Sequence, residues 1–258
     1  EFCVFENIES TGLVNHCFTT RKGGVSKGVF ESLNVSYSRG DDKSNVDENM
    51  RRLSEAVGFD TNKIVSGHQI HKTEILQADY SHCLKSISGY DGYITDKPGI
   101  VLCTFHADCV PLYFIDPVHH AIGLSHSGWR GTVSKIGAVT VKKMQETYGT
   151  DPKDVYAAIG PSICQDCYEV SEDVIQEFQN SFAPEHWKTL FYKKENGKYQ
   201  LNLWEANKII FMETGITENH ISMPGICTCC NPELLYSHRA SKGKRGNLAA
   251  FLGLKRSE

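Results

Sequence analysis

A chain of 258 residues, 40% hydrophobic and 22% charged, has the composition of a soluble globular protein with a sizeable core. Its formal net charge of −4 offers no polyanion-binding surface, so no nucleic-acid partner is expected. No apolar run is as long as a membrane span and the N-terminus carries no basic-then-apolar leader. The ten cysteines therefore read as thiols of a reducing cytoplasm, some of them ligands, rather than as a disulfide scaffold.

The first clear element is a helix that Ser44 or Asn45 can cap, with Val46, Met50, Leu53 and Val57 at helical spacing and Gly58 as its stop. "GIVLCTF" (99–105) and "VPLYFID" (110–116) read as buried strands on either side of "HADC" (106–109). "AIGLSH" (121–126) is a further strand that runs into the turn "SGWRG". Thr132 opens a helix with Ile136, Val139, the Lys143 stem and Tyr148 roughly on one face, closed by Gly149. "VYAAIG" (155–160) is another strand, broken at Gly160-Pro161, and helices are expected over 171–182 and 203–214, the second stopped by Gly215. Strands and helices alternate through the middle, which gives an α/β layered single domain over 1–258 with its polar motifs at strand ends.

Those motifs carry the chemistry. His68 and His71 lie three apart in "SGHQIHK", and on a strand such positions face opposite ways, so at most one of them enters a shared site. The same reasoning applied to "HADC" puts His106 and Asp108 on one face and Cys109 on the other if the strand continues. "SHSGWRG" sets His126 before a turn and a helix start, where backbone N–H groups and Arg130 could hold an anion. Cys164-x-x-Cys167 and the run Cys227-Thr-Cys229-Cys230 invite a zinc cluster, but only the first is read as the usual knuckle, so no closed tetrathiolate site is expected. A set of histidines and one cysteine gathered from strand ends suits zinc, with a water in the open position.

Ten short motifs occur in order: "FTTRKGGVS", "SLNVSYSRGDD", "QIH", "YDGYIT", "ADCVP", "SHSGWRG", "AIGPSI", "YEV", "CT" and "SHR". Together they resemble the YfiH family, nearest to its bacterial YlmD branch, over nearly the whole chain. That family was once labelled multicopper polyphenol oxidoreductase, or laccase, and is now understood as purine nucleoside phosphorylases with adenosine deaminase activity. The resemblance implies a layered mixed-sheet α/β fold with a metal in a cleft at strand ends. It further implies that His71, Cys109 and His126 hold one zinc ion, with copper as the alternative metal, while His68 and His106 fall where the family reserves no histidine.

The implied reactions are phosphorolysis of adenosine, inosine and 5′-methylthioadenosine, and hydrolytic deamination of adenosine to inosine. The partners are then purine nucleosides and phosphate, with a homodimer left open. Within the matched motifs Arg21, Asn34, Gln69, Arg130, Cys227 and Arg239 are the candidates for substrate or phosphate contacts. Asp108 is the candidate proton carrier, or else an orienter of a ligand histidine. Two other readings stay in view, a copper-dependent polyphenol oxidoreductase and a non-catalytic zinc-binding protein. The first is the weaker, because multicopper oxidases use repeated His-x-His pairs and the eleven histidines here form none.

Overall fold

The computed structural model describes residues 1–85 and 87–256, and it places the strands on either side of residues 107–109 in different sheets. Val101–His106 pairs antiparallel with Leu248–Leu254 and parallel with Ile64–Val65 in a sheet of five strands, completed by Val14–Thr19 and Phe2–Cys3. Val110–Asp116 pairs antiparallel with both Ala121–Ser127 and Tyr156–Ile159 in a sheet of six, with Gly92–Thr95, Ile75–Gln77 and Ile221–Ser222 towards its edges. Both sheets are mixed, as the resemblance implies. The expected strand continuity through "HADC" fails. The chain leaves one sheet at His106, turns through Asp108 at φ +87°, and enters the other at Val110.

Period-2 alternation along these strands sorts the core into layers. Leu102, Tyr113, Ile115, Ile122, Leu124, Ala250 and Leu252 fill the space between the sheets. The alternate residues Leu112, Phe114, Ala157 and Ile159 face outward, onto the helices Ile136–Tyr148, Glu172–Ser181 and Leu203–Thr214. On the opposite side Cys17, Val101, Cys103 and Phe251 pack under the helix Lys43–Val57. The order is helix, sheet, sheet, helices. Every strand residue in 110–116 and 121–127 is buried because both faces of the six-stranded sheet are covered.

Two helix starts differ from expectation for local reasons. Asp42, rather than Ser44 or Asn45, caps the first helix, since its Oδ1 accepts from both the Ser44 N–H (2.8 Å) and the Ser44 hydroxyl (2.7 Å). The helix expected from Thr132 begins earlier, as a turn over Trp129–Val133, then breaks at Lys135 (φ +55°) before Ile136–Tyr148. The glycine stops are where the sequence puts them: Gly58, Gly149 and Gly215 all take left-handed backbone at the C-caps. Among the described residues no helix is long and apolar enough to cross a membrane.

Candidate metal centre and the cleft around it

His71, Cys109 and His126 converge from three separate elements, with one ligand atom of each within 4.8 Å of the others. His126 is the next-to-last residue of Ala121–Ser127 and is buried. His71 follows the short strand Gly67–His68 and sits at φ +58°. That backbone is held by Asp91, whose wholly buried carboxylate accepts the N–H groups of Ile70 (2.9 Å), His71 (2.9 Å) and Lys72 (3.0 Å). The same carboxylate takes His126 Nδ1 at 2.9 Å. This fixes the ring and leaves Nε2 for the site, the arrangement in which a carboxylate orients a metal-binding imidazole. Gly128 supplies the room: a Cβ there would stand 3.1 Å from the His71 ring and 3.2 Å from the Cys109 sulfur.

Electrostatics favour a thiolate beside a cation. Burial pushes the Cys109 thiol up, but the imidazoles of His126 and His71 outweigh it and bring it down to about 6. Burial lowers His126, but the Cys109 thiolate and the Asp91 hydrogen bond outweigh that and raise it to about 9. For Asp91 burial raises the carboxyl, and the bonds from His126 and from the backbone of residues 70 and 72 hold it below the usual range. One thiolate with two imidazoles is a borderline-soft set that fits zinc or copper and leaves a coordination position open. His106 stands beside this group without joining it. Its Nδ1 meets the Cys109 carbonyl (3.1 Å), its Nε2 meets the Thr104 hydroxyl (2.8 Å), and burial, then the charge of His126, keeps it well below its ordinary value.

The three residues open into a cavity of about 220 Å3 that is also lined by Arg39, Arg245 and His68. Neither arginine has a carboxylate partner among the described residues. Arg39 donates to the Gly243 carbonyl at 3.3 Å, Arg245 donates to the Gly246 carbonyl at 3.0 Å and to Asn247 Oδ1, and the Nε of each is buried without an acceptor. Burial, then the charge of Arg39, pulls Arg245 down to about 10. Two guanidiniums without a carboxylate partner, lining one cavity, suit an anion. Neither arginine is among the contacts expected from the motifs, although Arg39 lies inside one of them.

Most of the contacts expected from the motifs are committed elsewhere. Arg21 donates to the carbonyls of Glu31 (2.7 Å) and Pro232 (2.8 Å) and stacks on Tyr236, clamping two loops. Asn34 is fully buried and bonds to Ser36, Asp41 and the N–H of Asn247. Gln69 lines the cavity, but its amide pairs with both the N–H (2.7 Å) and the carbonyl (3.0 Å) of Phe105, as a strand neighbour would. The guanidinium of Arg239 lies on the carbonyls of Cys167 (3.3 Å) and Glu169 (3.0 Å). Asp108 accepts the Thr228 hydroxyl and the Arg239 N–H, each at 2.7 Å, one on each oxygen, and so braces the turn. The Cys227 sulfur lies among other cysteines. Arg130 is exposed and stacked on Trp129 in a separate hollow that also touches His71.

A family described as multi-copper polyphenol oxidoreductase laccase matches residues 15–255. The chain belongs to this family, the YfiH family. It is 36% identical over 245 residues to the purine nucleoside phosphorylase YlmD of Geobacillus stearothermophilus, covering 91% of this chain and 88% of that one. It is also 36% identical to the purine nucleoside phosphorylase YlmD of Bacillus subtilis over 248 residues, 92% of this chain and 87% of that one. The crystal structure of the Geobacillus YlmD superposes with a TM-score of 0.90 over 94% of this chain and 92% of its own, at 35% identity. Among the described residues of this YfiH-family chain only two groups could hold a metal ion, His71/Cys109/His126 and a set of four cysteines. Neither supplies the histidine cluster that several coppers would require.

Proposed function

We propose that the chain is a zinc-dependent purine nucleoside phosphorylase that also deaminates adenosine and accepts 5′-methylthioadenosine. The observation that carries this reading is one cavity that joins His71, Cys109 and His126 to Arg39 and Arg245, neither of which has a carboxylate partner among the described residues. The names of its relatives support it.

Phosphorolysis forms a bond from a phosphate oxygen to C1′ of the ribose and breaks the C1′–N9 bond, whose electron pair leaves with the purine. Positive charge grows on the sugar, negative charge grows on the base, and the base ends by taking a proton. Arg39 and Arg245 hold the phosphate and set its approach, so that attack is effectively intramolecular. His71, Cys109 and His126 hold the metal, with Asp91 fixing the His126 ring and the His71 backbone. When bound, the metal supplies Lewis-acid stabilisation to the purine end of the substrate and to water for displacement of the adenosine amine. His68 lines the same cavity and is exposed, which suits it to pass a proton to the departing base.

The test is inosine with inorganic phosphate, followed by chromatography of hypoxanthine and ribose 1-phosphate, for wild type, Cys109→Ala and Arg39→Ala. Release by wild type that is lost in both variants supports the reading. No release by wild type overturns the phosphorylase assignment, and release unaffected by Cys109→Ala overturns the role of the metal. Adenosine and 5′-methylthioadenosine as substrates, with inosine or methylthioribose 1-phosphate as products, decide the finer activities in the same assay.

A further inference from the structure

The loop after Tyr156–Ile159 and the loop before Asn231 are joined by a short parallel bridge, in which Ser162 N–H meets the Ile226 carbonyl (3.2 Å) and Thr228 N–H meets the Ser162 carbonyl (3.0 Å). This bridge lays Cys164-x-x-Cys167 against Cys227-x-x-Cys230. All four sulfurs lie within 4.8 Å of one another, with Cys167 to Cys230 at 3.4 Å and Cys164 to Cys230 at 3.9 Å. A disulfide needs about 2.05 Å between sulfurs. Four thiolates around a tetrahedral zinc at about 2.3 Å stand about 3.8 Å apart. The observed spacing is that of ligands around an ion.

Two further features agree. The Cys227 sulfur accepts backbone N–H groups from Cys164 (3.3 Å) and Cys230 (3.4 Å), donors that stabilise a thiolate. Cys229 lies outside this set of four and packs, as Cys167 also does, against the apolar cluster under the helices. It is the residue that hides the second knuckle in the sequence. The fold gathers these cysteines where a closed site can form, against the expectation that they form none.

We propose that Cys164, Cys167, Cys227 and Cys230 bind a second zinc ion in a closed tetrathiolate site. Binding replaces four thiol protons with one Zn2+, and the residual negative charge is offset by the N–H donors and by Arg239, which lies on the Cys167 carbonyl. With no open position the site is structural. Its load is Asp108: Ile163 N–H, next to Cys164, bonds the Asp108 carbonyl (3.0 Å), and the hydroxyl of Thr228, next to Cys227, bonds its carboxylate (2.7 Å). Asp108 in turn precedes Cys109. The second zinc thus acts as a positioning element for the turn that presents Cys109, whatever reaction the first site performs.

The test is metal analysis of the purified, untreated protein. Two zinc equivalents per chain are expected in wild type, one in Cys109→Ser, and one in Cys167→Ser/Cys230→Ser. Should the double variant fail to fold, Cys109→Ser loaded with Co2+ still decides. Thiolate-to-cobalt charge-transfer bands of a tetrahedral four-sulfur site are expected there, and their absence overturns the proposal. A single equivalent in wild type that Cys109→Ser abolishes also overturns it, as does a Cys167–Cys230 disulfide found by peptide mass in the untreated protein.

Discussion

Asp91 Oδ1 and His126 Nδ1 are 2.9 Å apart, and both side chains are buried. One carboxylate therefore orients one imidazole of the candidate metal set and, through three backbone N–H groups, holds the backbone of another, His71.

Asp91→Asn should separate orientation from coordination. The amide keeps an acceptor for His126 but aims an NH2 at backbone N–H groups that need acceptors. Metal affinity should fall about 10–100-fold, the usual size of such an outer contact. Competition with a chelator of known affinity measures it, and an unchanged dissociation constant would show that Asp91 does not tune the site.

Removal of either cavity arginine should act on phosphate before it acts on nucleoside. A hydrogen bond to a charged group contributes roughly 1.5–3 kcal/mol, so Arg39→Ala or Arg245→Ala should raise the phosphate KM by about 10–100-fold. The metal content should stay at the wild-type value. The same change at Arg21, which only joins loops, should lower thermal stability and leave the phosphate KM in place.

Gly128→Ala probes room alone. Gly128 has extended backbone (φ −75°, ψ 176°) that alanine takes without strain, yet the added methyl presses on both His71 and Cys109. Metal affinity should drop at least about tenfold, since coordination tolerates only about 0.2 Å of displacement. Circular dichroism should be unchanged. Wild-type affinity in this variant would mean that the ligands yield more freely than their packing suggests.

Acid should weaken the fold through His16. Burial, then the charge of Lys255, lowers this histidine from 6.5 to about 4, and its Nε2 accepts the Phe5 N–H at 2.9 Å, a bond that protonation breaks. The unfolded chain binds a proton near pH 6.5 that the folded chain refuses. The stabilisation is therefore complete above pH 6.5 and is lost as pH falls from 6.5 towards 4. At pH 5 the loss is about 2 kcal/mol. Urea unfolding of chelator-treated protein at pH 7.5 and 5 should show His16→Gln less acid-sensitive than wild type by about that amount.

What the sequence made legible was local. Gly58, Gly149 and Gly215 end helices because only a residue tolerant of left-handed backbone closes them cheaply, and the strands around "HADC" are visible in their apolar runs. The strand argument about which of His106, Asp108 and Cys109 share a face did not transfer, because the chain changes sheets between them. The anion site was hidden for a different reason. What an arginine keeps for a ligand depends on which groups come near it in the fold: all four of Arg21, Arg39, Arg239 and Arg245 donate to carbonyls, but Arg39 and Arg245 also line the cavity and keep a buried Nε without an acceptor. The second knuckle was obscured by Cys229, which stands between Thr228 and Cys230 in the sequence but lies outside the set of four that the fold gathers.

Three residues separate His106, which faces Leu248, from Val110, which faces Ser127. Each of those strands is locked in register by side chains that alternate between two covered faces, so a slip of one residue would exchange inside for outside. The turn can accept substitutions, but it cannot absorb an insertion or a deletion without moving a whole strand or swinging Cys109 out of the cavity. Chain length is the gauge at this point: the direction of the cysteine is set by counting from two fixed ends.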